Sequence, residues 1–441
     1  MRALVLVIAL AACGDNVQPD LLDQLNALPG ITAVEDAPPQ HAEPGYRYFD
    51  LSIATPIDHD GDAGTFELRA TLMHRDTSAP LVIYAGGYDL DGAAYSLTEP
   101  AAIVGGNQVA LEYRFYGESI PQAGIAWPDL RVEQWGADQH AIVDQLATIY
   151  SGPRIATGGS KGGENALEQM QLYPGDYAGV VAYVPPVITA YPDERYEGIL
   201  DRIGTDSCRD ALRAVARELL VRRETLQPMF AANATYDVAG IAHAYETAVV
   251  ELEFSFWMTR GIGDCDKVPA TTDTDDNLAL FLEATSPPEG YDDATLATSG
   301  SQYIYQDHVE LGYPVWDHQY LDDLLMFSYE DWSAYMPANQ PTVYDPTLAL
   351  ALADWATNDS QHVMLVGGQW DPWGAGYPPV APGRDAYEYL APMASHWSTF
   401  IQTLDASDEA AAVGELCAWA QVPVPAIDLL KRRAPERRGR N

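Results

Sequence analysis

The sequence predicts an α/β fold: a mostly parallel β-sheet flanked by helices and interrupted by a large helical insertion. Three observations predict it. Short apolar runs rich in β-branched residues, bounded by Gly or Pro, recur along the chain as buried parallel strands do. Between two of them, residues 129–150 have helical length, with apolar residues at Val132, Trp135, Ile142, Val143 and Leu146. From about Ile188 to Asp345 this rhythm gives way to a helical, aromatic-rich pattern before another strand-like run resumes it.

The chain opens with a signal-like segment, residues 1–13. Arg2 supplies the positive start, and Ala3 to Ala12 is apolar but too short to span a bilayer. The run ends Leu10-Ala11-Ala12-Cys13-Gly14, the pattern of a lipobox, in which Cys13 is lipidated and becomes the first mature residue. Residues 14–45 are polar and carry Pro38-Pro39 and Pro44-Gly45, which reads as a linker to that anchor.

Strand signals follow. Tyr46 to Ile53 and Thr65 to His74 alternate apolar and polar residues on either side of the turn-rich Pro56 to Gly64, predicting an antiparallel hairpin at a sheet edge. Continuous apolar runs at Leu81 to Ala85, Gln108 to Tyr113, Arg154 to Thr157, Val180 to Val184 and His362 to Val366 predict the parallel strands. Residues 46–187 and 346–430 are therefore assigned to one catalytic domain. Residues 188–345 are assigned to a helical cap inserted above the strand ends, where such sheets hold ligands.

Composition narrows the function. With 441 residues, 47% of them hydrophobic, the chain can bury a large core. Lys and Arg total 24 against 64 Asp and Glu, a net charge of −40, so nucleic acid and anionic membrane surfaces are repelled. Membrane contact is expected only through the lipid anchor, and the basic tail Lys431 to Arg440 reads as a disordered end. No CxxC, HExxH or EF-hand spacing occurs, so neither metal nor cofactor is expected. Of the cysteines after Cys13, an exported protein is expected to pair two, with Cys208 and Cys265 preferred, leaving Cys417 as a buried thiol. A monomer is expected.

The chemistry is carried by Gly158-Gly159-Ser160-Lys161-Gly162, which matches G-x-S-x-G. A predicted strand enters it, and a predicted helix from Lys161 to Tyr173, stopped by Pro174-Gly175, leaves it. That context makes the motif a nucleophile elbow and the fold an α/β-hydrolase. Glycines flank Ser160 because the serine must occupy a strained turn while strand and helix approach closely.

In this fold the order along the chain is Ser, acid, His. His396 is the last histidine in the sequence, and the run His362 to Val366 leads into Gly367-Gly368-Gln369-Trp370-Asp371-Pro372, making Asp371 the acid. An oxyanion hole needs the N–H of the residue after the nucleophile, Lys161, and one from the loop after an early strand, where Gly87 and Tyr88 are equal candidates.

These residues resemble the secreted tripeptidyl aminopeptidases, a serine peptidase family distantly similar to prolyl carboxypeptidase and dipeptidyl peptidases. The elbow through Gly163, lysine included, is similar to that family's nucleophile motif. Further likenesses are Gly45-Tyr46-Arg47-Tyr48-Phe49, Thr55-Pro56-Ile57-Asp58-His59, Leu72-Met73-His74-Arg75-Asp76, Glu112-Tyr113-Arg114-Phe115-Tyr116-Gly117, Tyr173-Pro174-Gly175-Asp176 and Asp371-Pro372-Trp373-Gly374. Ser395-His396-Trp397 departs from the family's Asn-His-Gly, so His396 rests partly on chain order. The resemblance implies Ser160, Asp371 and His396 as catalytic residues and Cys208–Cys265 as a cap disulfide. It also implies release of short peptides from free N-termini, often after proline.

Such an exopeptidase needs a carboxylate for the substrate's ammonium. Glu112 is one candidate, with a structural pair to Arg114 or another arginine as the alternative, and Glu251 and Glu253 in the cap are others. Two other readings compete: an esterase or lipase using the same residues, and a catalytically inactive surface-binding lipoprotein.

Overall fold

The computed structural model describes residues 19–90, 94–329, 332–340 and 343–425. Cys13 and the basic tail lie outside the described residues. Among the described residues nine strands form, β1 (Ile31–Asp36), β2 (Arg47–Pro56), β3 (Thr65–His74), β4 (Leu81–Ala85), β5 (Asn107–Leu111), β6 (Arg154–Gly159), β7 (Gly179–Tyr183), β8 (Val363–Gly368) and β9 (Ala386–Ala391). They make one sheet in the order β1-β2-β3-β5-β4-β6-β7-β8-β9. Pairing is antiparallel from β1 to β5 and parallel from there to β9. This is the α/β architecture that the apolar runs predict.

The hairpin of β2 and β3 forms, but not at the edge. A short helix, α1 (Leu21–Asn26), and β1 lie within the stretch read as a linker, and β1 pairs outside β2. Leu21 and Leu25 of α1 join Ile31 and Ala33 of β1 in the main core, so part of this segment belongs to the domain. At the other edge β9 is also an addition to the predicted strands.

Side chains that alternate along each strand fill two layers. On one face Ile83, Val109 and Leu111 pack with Trp135, Ile142 and Leu146 of the long helix after β5, Val132–Leu146. On the other, Val82, Ile155, Val181 and Met364 pack with Ala101 and Ile103 of Glu99–Val104 and with Ala412, Val413 and Leu416 of Ala406–Trp419. In chain order α2 is Glu99–Val104, α3 is Val132–Leu146 and α4, after β6, is Lys161–Leu172. Cys417 is a free, buried thiol.

Between β7 and β8 the chain is helical, with α5 (Asp206–Val221), α6 (Arg223–Ala231), α7 (Ile241–Val250), α8 (Leu252–Thr259) and α9 (Asp275–Thr285). Leu219, Leu226, Phe230, Val249 and Leu278 give this insertion a core of its own. The disulfide Cys208–Cys265 ties the first turn of α5 to the turn 262–267. Gln302 donates to the Phe115 carbonyl at 3.1 Å, and the Phe254 ring meets Trp373 at 5.0 Å. Phe115 follows β5 and Trp373 follows β8, so the insertion spans the carboxyl ends of the strands. Among the described residues no helix is long and apolar enough to cross a membrane.

Candidate active site

Ser160 stands between β6 and α4 at φ 57° and ψ −131°, a conformation that a non-glycine residue rarely adopts. Its N–H donates to the Tyr183 carbonyl at 3.0 Å and its carbonyl accepts from Gly163 and Glu164, so the backbone on both sides holds the turn. The glycine requirement is physical: a Cβ at Gly158 would lie 2.0 Å from Gly162 O, and one at Gly162 would lie 2.5 Å from Ala85 O. At Gly159 the same construction meets nothing within 4 Å, so that glycine is not required by packing.

Asp371 and His396 come together across 25 positions of sequence. His396 Nδ1 lies 2.6 Å from Asp371 Oδ2, and both side chains are buried. Asp371 Oδ1 accepts from the Trp373 N–H at 2.9 Å, and Oδ2 also accepts from the Tyr377 hydroxyl. Tyr377 escaped the sequence reading, because no local pattern links position 377 to 371. Asp371 sits in the turn after β8 and His396 in the turn beyond β9. Since β6, β7, β8 and β9 are consecutive parallel neighbours, Ser160, Asp371 and His396 occupy the same edge of the sheet.

The loop after β4 passes against the elbow at Gly87, where a Cβ would stand 2.9 Å from Gly162 N and 3.2 Å from Lys161 Cβ. Lys161 is 3% exposed, and its ammonium donates to Gly87 O at 2.9 Å while lying 3.3 Å from the Tyr113 ring centroid. Burial pulls this lysine down to about 7, against the opposing pull of Glu168, Glu164, Asp307 and Glu310. Burial likewise pushes Glu164 and Asp307 well above the usual carboxylate range.

The three candidate ammonium anchors separate cleanly. Glu112 is enclosed: Oε1 accepts from the Leu90 N–H at 3.0 Å, and Oε2 from the N–H and hydroxyl of Ser119, both at 2.7 Å. It ties two loops together, and Arg69, at 4.0 Å, is its nearest cation, while Arg114 pairs with Asp138. Glu253 is enclosed too, with Arg213 Nε on Oε2 at 2.7 Å. Both oxygens of Glu112 are engaged within the fold, whereas Glu253 has Oε2 paired and Oε1 buried without a hydrogen-bond partner.

Glu251, between α7 and α8, is different. Tyr291 donates to Oε2 at 2.6 Å, and Tyr313 and Tyr329 donate to Oε1 at 3.0 and 3.1 Å. It is half-buried, and desolvation raises its carboxyl. Its partners are tyrosines rather than a cation, so its negative charge is uncompensated by an adjacent positive group within this set of contacts. Asp307 feels both Lys161 and Glu251, and Tyr303 one turn before it packs edge-on to Tyr88 at 5.6 Å. Asp307 opens a π-helical turn, Asp307–Leu311, a departure from α-helix often found at functional sites. Sequence reasoning missed Asp307 because it lies in a helix with no motif around it.

A parallel sheet whose inner strand enters a strained turn at a serine, with an Asp–His pair on later turns in that chain order, defines an α/β-hydrolase. The chain belongs to the peptidase S37 family, a family of serine peptidases described as PS-10 peptidase S37, which it matches over residues 15–431. It is 36% identical over 423 residues to the prolyl tri/tetrapeptidyl aminopeptidase of Streptomyces mobaraensis, covering 93% of this chain and 87% of that one. Among solved structures, a proline iminopeptidase of Mycobacterium smegmatis aligns at 14% identity over 84% of this chain and 99% of its own, with a TM-score of 0.40. A peroxisomal α/β-hydrolase of Saccharomyces cerevisiae aligns at 10% identity over 90% and 100%, with a TM-score of 0.38.

Proposed function

We propose that this protein is a serine exopeptidase that releases tri- or tetrapeptides, with proline preferred before the cleaved bond, from substrates with a free N-terminus. The observation that carries the exopeptidase part is Glu251. A carboxylate held by Tyr291, Tyr313 and Tyr329 keeps its orientation while its charge remains available to an incoming ammonium. The activity of the S. mobaraensis relative supports the same substrate class.

In this reading the Ser160 hydroxyl oxygen attacks the scissile carbonyl carbon while its proton passes to His396 Nε2. Nδ1 of that ring faces Asp371, which fixes the tautomer and stabilises the imidazolium. The oxyanion accepts from the Lys161 N–H, one of the donors that α4 leaves without an intrahelical partner, and from the Tyr88 N–H. Tyr88 is taken as this donor: a trans peptide points its N–H opposite to its carbonyl, and the Gly87 carbonyl is turned inward to the Lys161 ammonium. Collapse breaks the C–N bond, and the leaving amine takes the proton from His396. Water then attacks the acyl-enzyme, giving its proton to His396, and the peptide acid leaves as the proton returns to Ser160.

We extend the proposal to location: export by the segment 1–13 and anchoring through lipidated Cys13, as the lipobox suggests. The mechanism is tested with a fluorophosphonate probe, which requires an activated serine. Labelling at Ser160 that disappears in Ser160→Ala is expected, and labelling elsewhere, or none in the folded protein, would overturn the assignment.

A further inference from the structure

We propose that Lys161 and Asn165 are positioning residues that set the oxyanion hole: from successive turns of α4 they hold the carbonyls of Gly87 and Gly86, and so aim the Tyr88 N–H beside the Lys161 N–H. The proposal rests on the serine-peptidase reading above and adds to it the device by which the second donor is fixed.

The loop after β4 has a backbone tie at each end. Gly86 N–H donates to Leu111 O, and Tyr88 O accepts from the Tyr113 N–H, each at 3.0 Å. Between those ties the peptide joining Gly87 to Tyr88 can still rotate about its flanking bonds, and its orientation decides whether the Tyr88 N–H faces the reacting carbonyl. The side chains of α4 remove that freedom. Asn165 Nδ2 donates to Gly86 O at 2.9 Å and Lys161 Nζ to Gly87 O at 2.9 Å. Positions 161 and 165 are four apart, so both side chains rise from one face of the helix.

Burying an ammonium is costly unless the site compensates it. Here the ammonium lies against the Tyr113 ring face, and its hydrogen bond goes to a neutral backbone carbonyl. A structural ion pair would place the carboxylate in direct contact instead. A carbonyl that accepts from a cation also polarises its own amide, which strengthens the N–H on the far side as a donor. The same helix thus supplies the first oxyanion donor from its backbone and orients the second with its side chains. Catalysis gains from donors placed before charge develops, so a rotated peptide loses rate rather than binding.

The test compares the wild-type chain with Lys161→Met, which keeps a long apolar stem, and with Asn165→Ala. The readouts are kcat and KM on an Ala-Ala-Pro amide, inhibition by Ala-Ala-Pro aldehyde, whose hemiacetal oxygen occupies the hole, and inhibition by the tripeptide analogue Ala-Ala-pyrrolidide, whose ring lacks that carbonyl and leaves the hole empty. In Lys161→Met, kcat and aldehyde affinity are expected to fall together on the order of 10²-fold, with KM and pyrrolidide affinity within about twofold. Asn165→Ala is expected to show the same split on the order of 10-fold. It removes only a neutral hydrogen bond and carries the test even where the lysine variant does not fold. Unchanged kcat in folded variants, or equal losses of aldehyde and pyrrolidide affinity, would overturn the inference. A wild-type protein that neither cleaves the amide nor binds the aldehyde would instead sink the serine-peptidase reading, and this inference with it.

Discussion

The Tyr377 hydroxyl and His396 Nδ1 converge on the same oxygen, Oδ2 of Asp371. Asp371 is thereby held by the residue it serves and by a phenol six positions along the same turn, with Trp373 N–H on its other oxygen. A buried carboxylate with these donors stays aimed.

Tyr377→Phe removes one of those donors, and with it the acceptor of the Gly368 N–H at 3.3 Å. Hydrogen bonds to charged groups contribute about 1.5–3 kcal/mol, so the variant should melt earlier by a corresponding margin. Its kcat should fall roughly 10-fold with KM unchanged, since His396 loses a well-oriented partner. Steady-state kinetics and a melting curve check both, and wild-type values in each would show that the contact is incidental.

Glu251 and Glu253 are two residues apart and should behave oppositely. Glu251→Gln is expected to raise KM for a free-amine peptide on the order of 10²-fold while leaving the fold intact. Glu253→Gln breaks the pair with Arg213 and should cost about 2–3 kcal/mol, below the range for a fully enclosed pair because Arg213 is partly exposed, with KM unaltered. The reverse pattern would remove Glu251 from the substrate site.

Burial pushes Glu310 up to about 7 from its ordinary value near 4.5. Between those values the native state holds a proton that the unfolded chain has released, so this group's contribution to stability falls as pH rises through the window. His308, pulled down by burial, contributes in the opposite sense, so the informative quantity is a difference. Melting temperatures at pH 5 and pH 7 should drop less in Glu310→Gln than in wild type. An identical drop would mean that Glu310 is ionised throughout.

Location has its own test. Cys13→Ser should abolish incorporation of labelled lipid and release the protein from membranes. Retention of the variant in the membrane fraction would point to another anchor.

Local patterns carried much of this molecule. The runs at Leu81–Ala85 and Thr65–His74 coincide with β4 and β3 at both ends, because burial on both faces or one leaves a periodic trace in composition. The elbow was legible because its glycines answer to contacts within a few residues, Gly158 against Gly162. The edge strands escaped: β1 follows Pro29-Gly30, which reads as a breaker, and β9 alternates tyrosines with Glu388 and Leu390 in a way that suits a half-open edge and gives no apolar run. Partnerships across the chain were out of reach of any local pattern. Nothing near Glu112 announces Ser119 and Leu90 as its donors, and nothing near Glu251 announces Tyr291, Tyr313 and Tyr329.

The central claim, a serine peptidase that works from a free N-terminus, is tested most directly by hydrolysis of an Ala-Ala-Pro amide with a free and with an acetylated amino group. Acetylation removes a charge-assisted contact and leaves Glu251 without its cationic partner, a cost of about 2–5 kcal/mol. Turnover is predicted to drop by roughly a hundredfold or more on acetylation, and to vanish for both substrates in Ser160→Ala. Equal rates on the two substrates, or turnover that survives Ser160→Ala, would contradict the account.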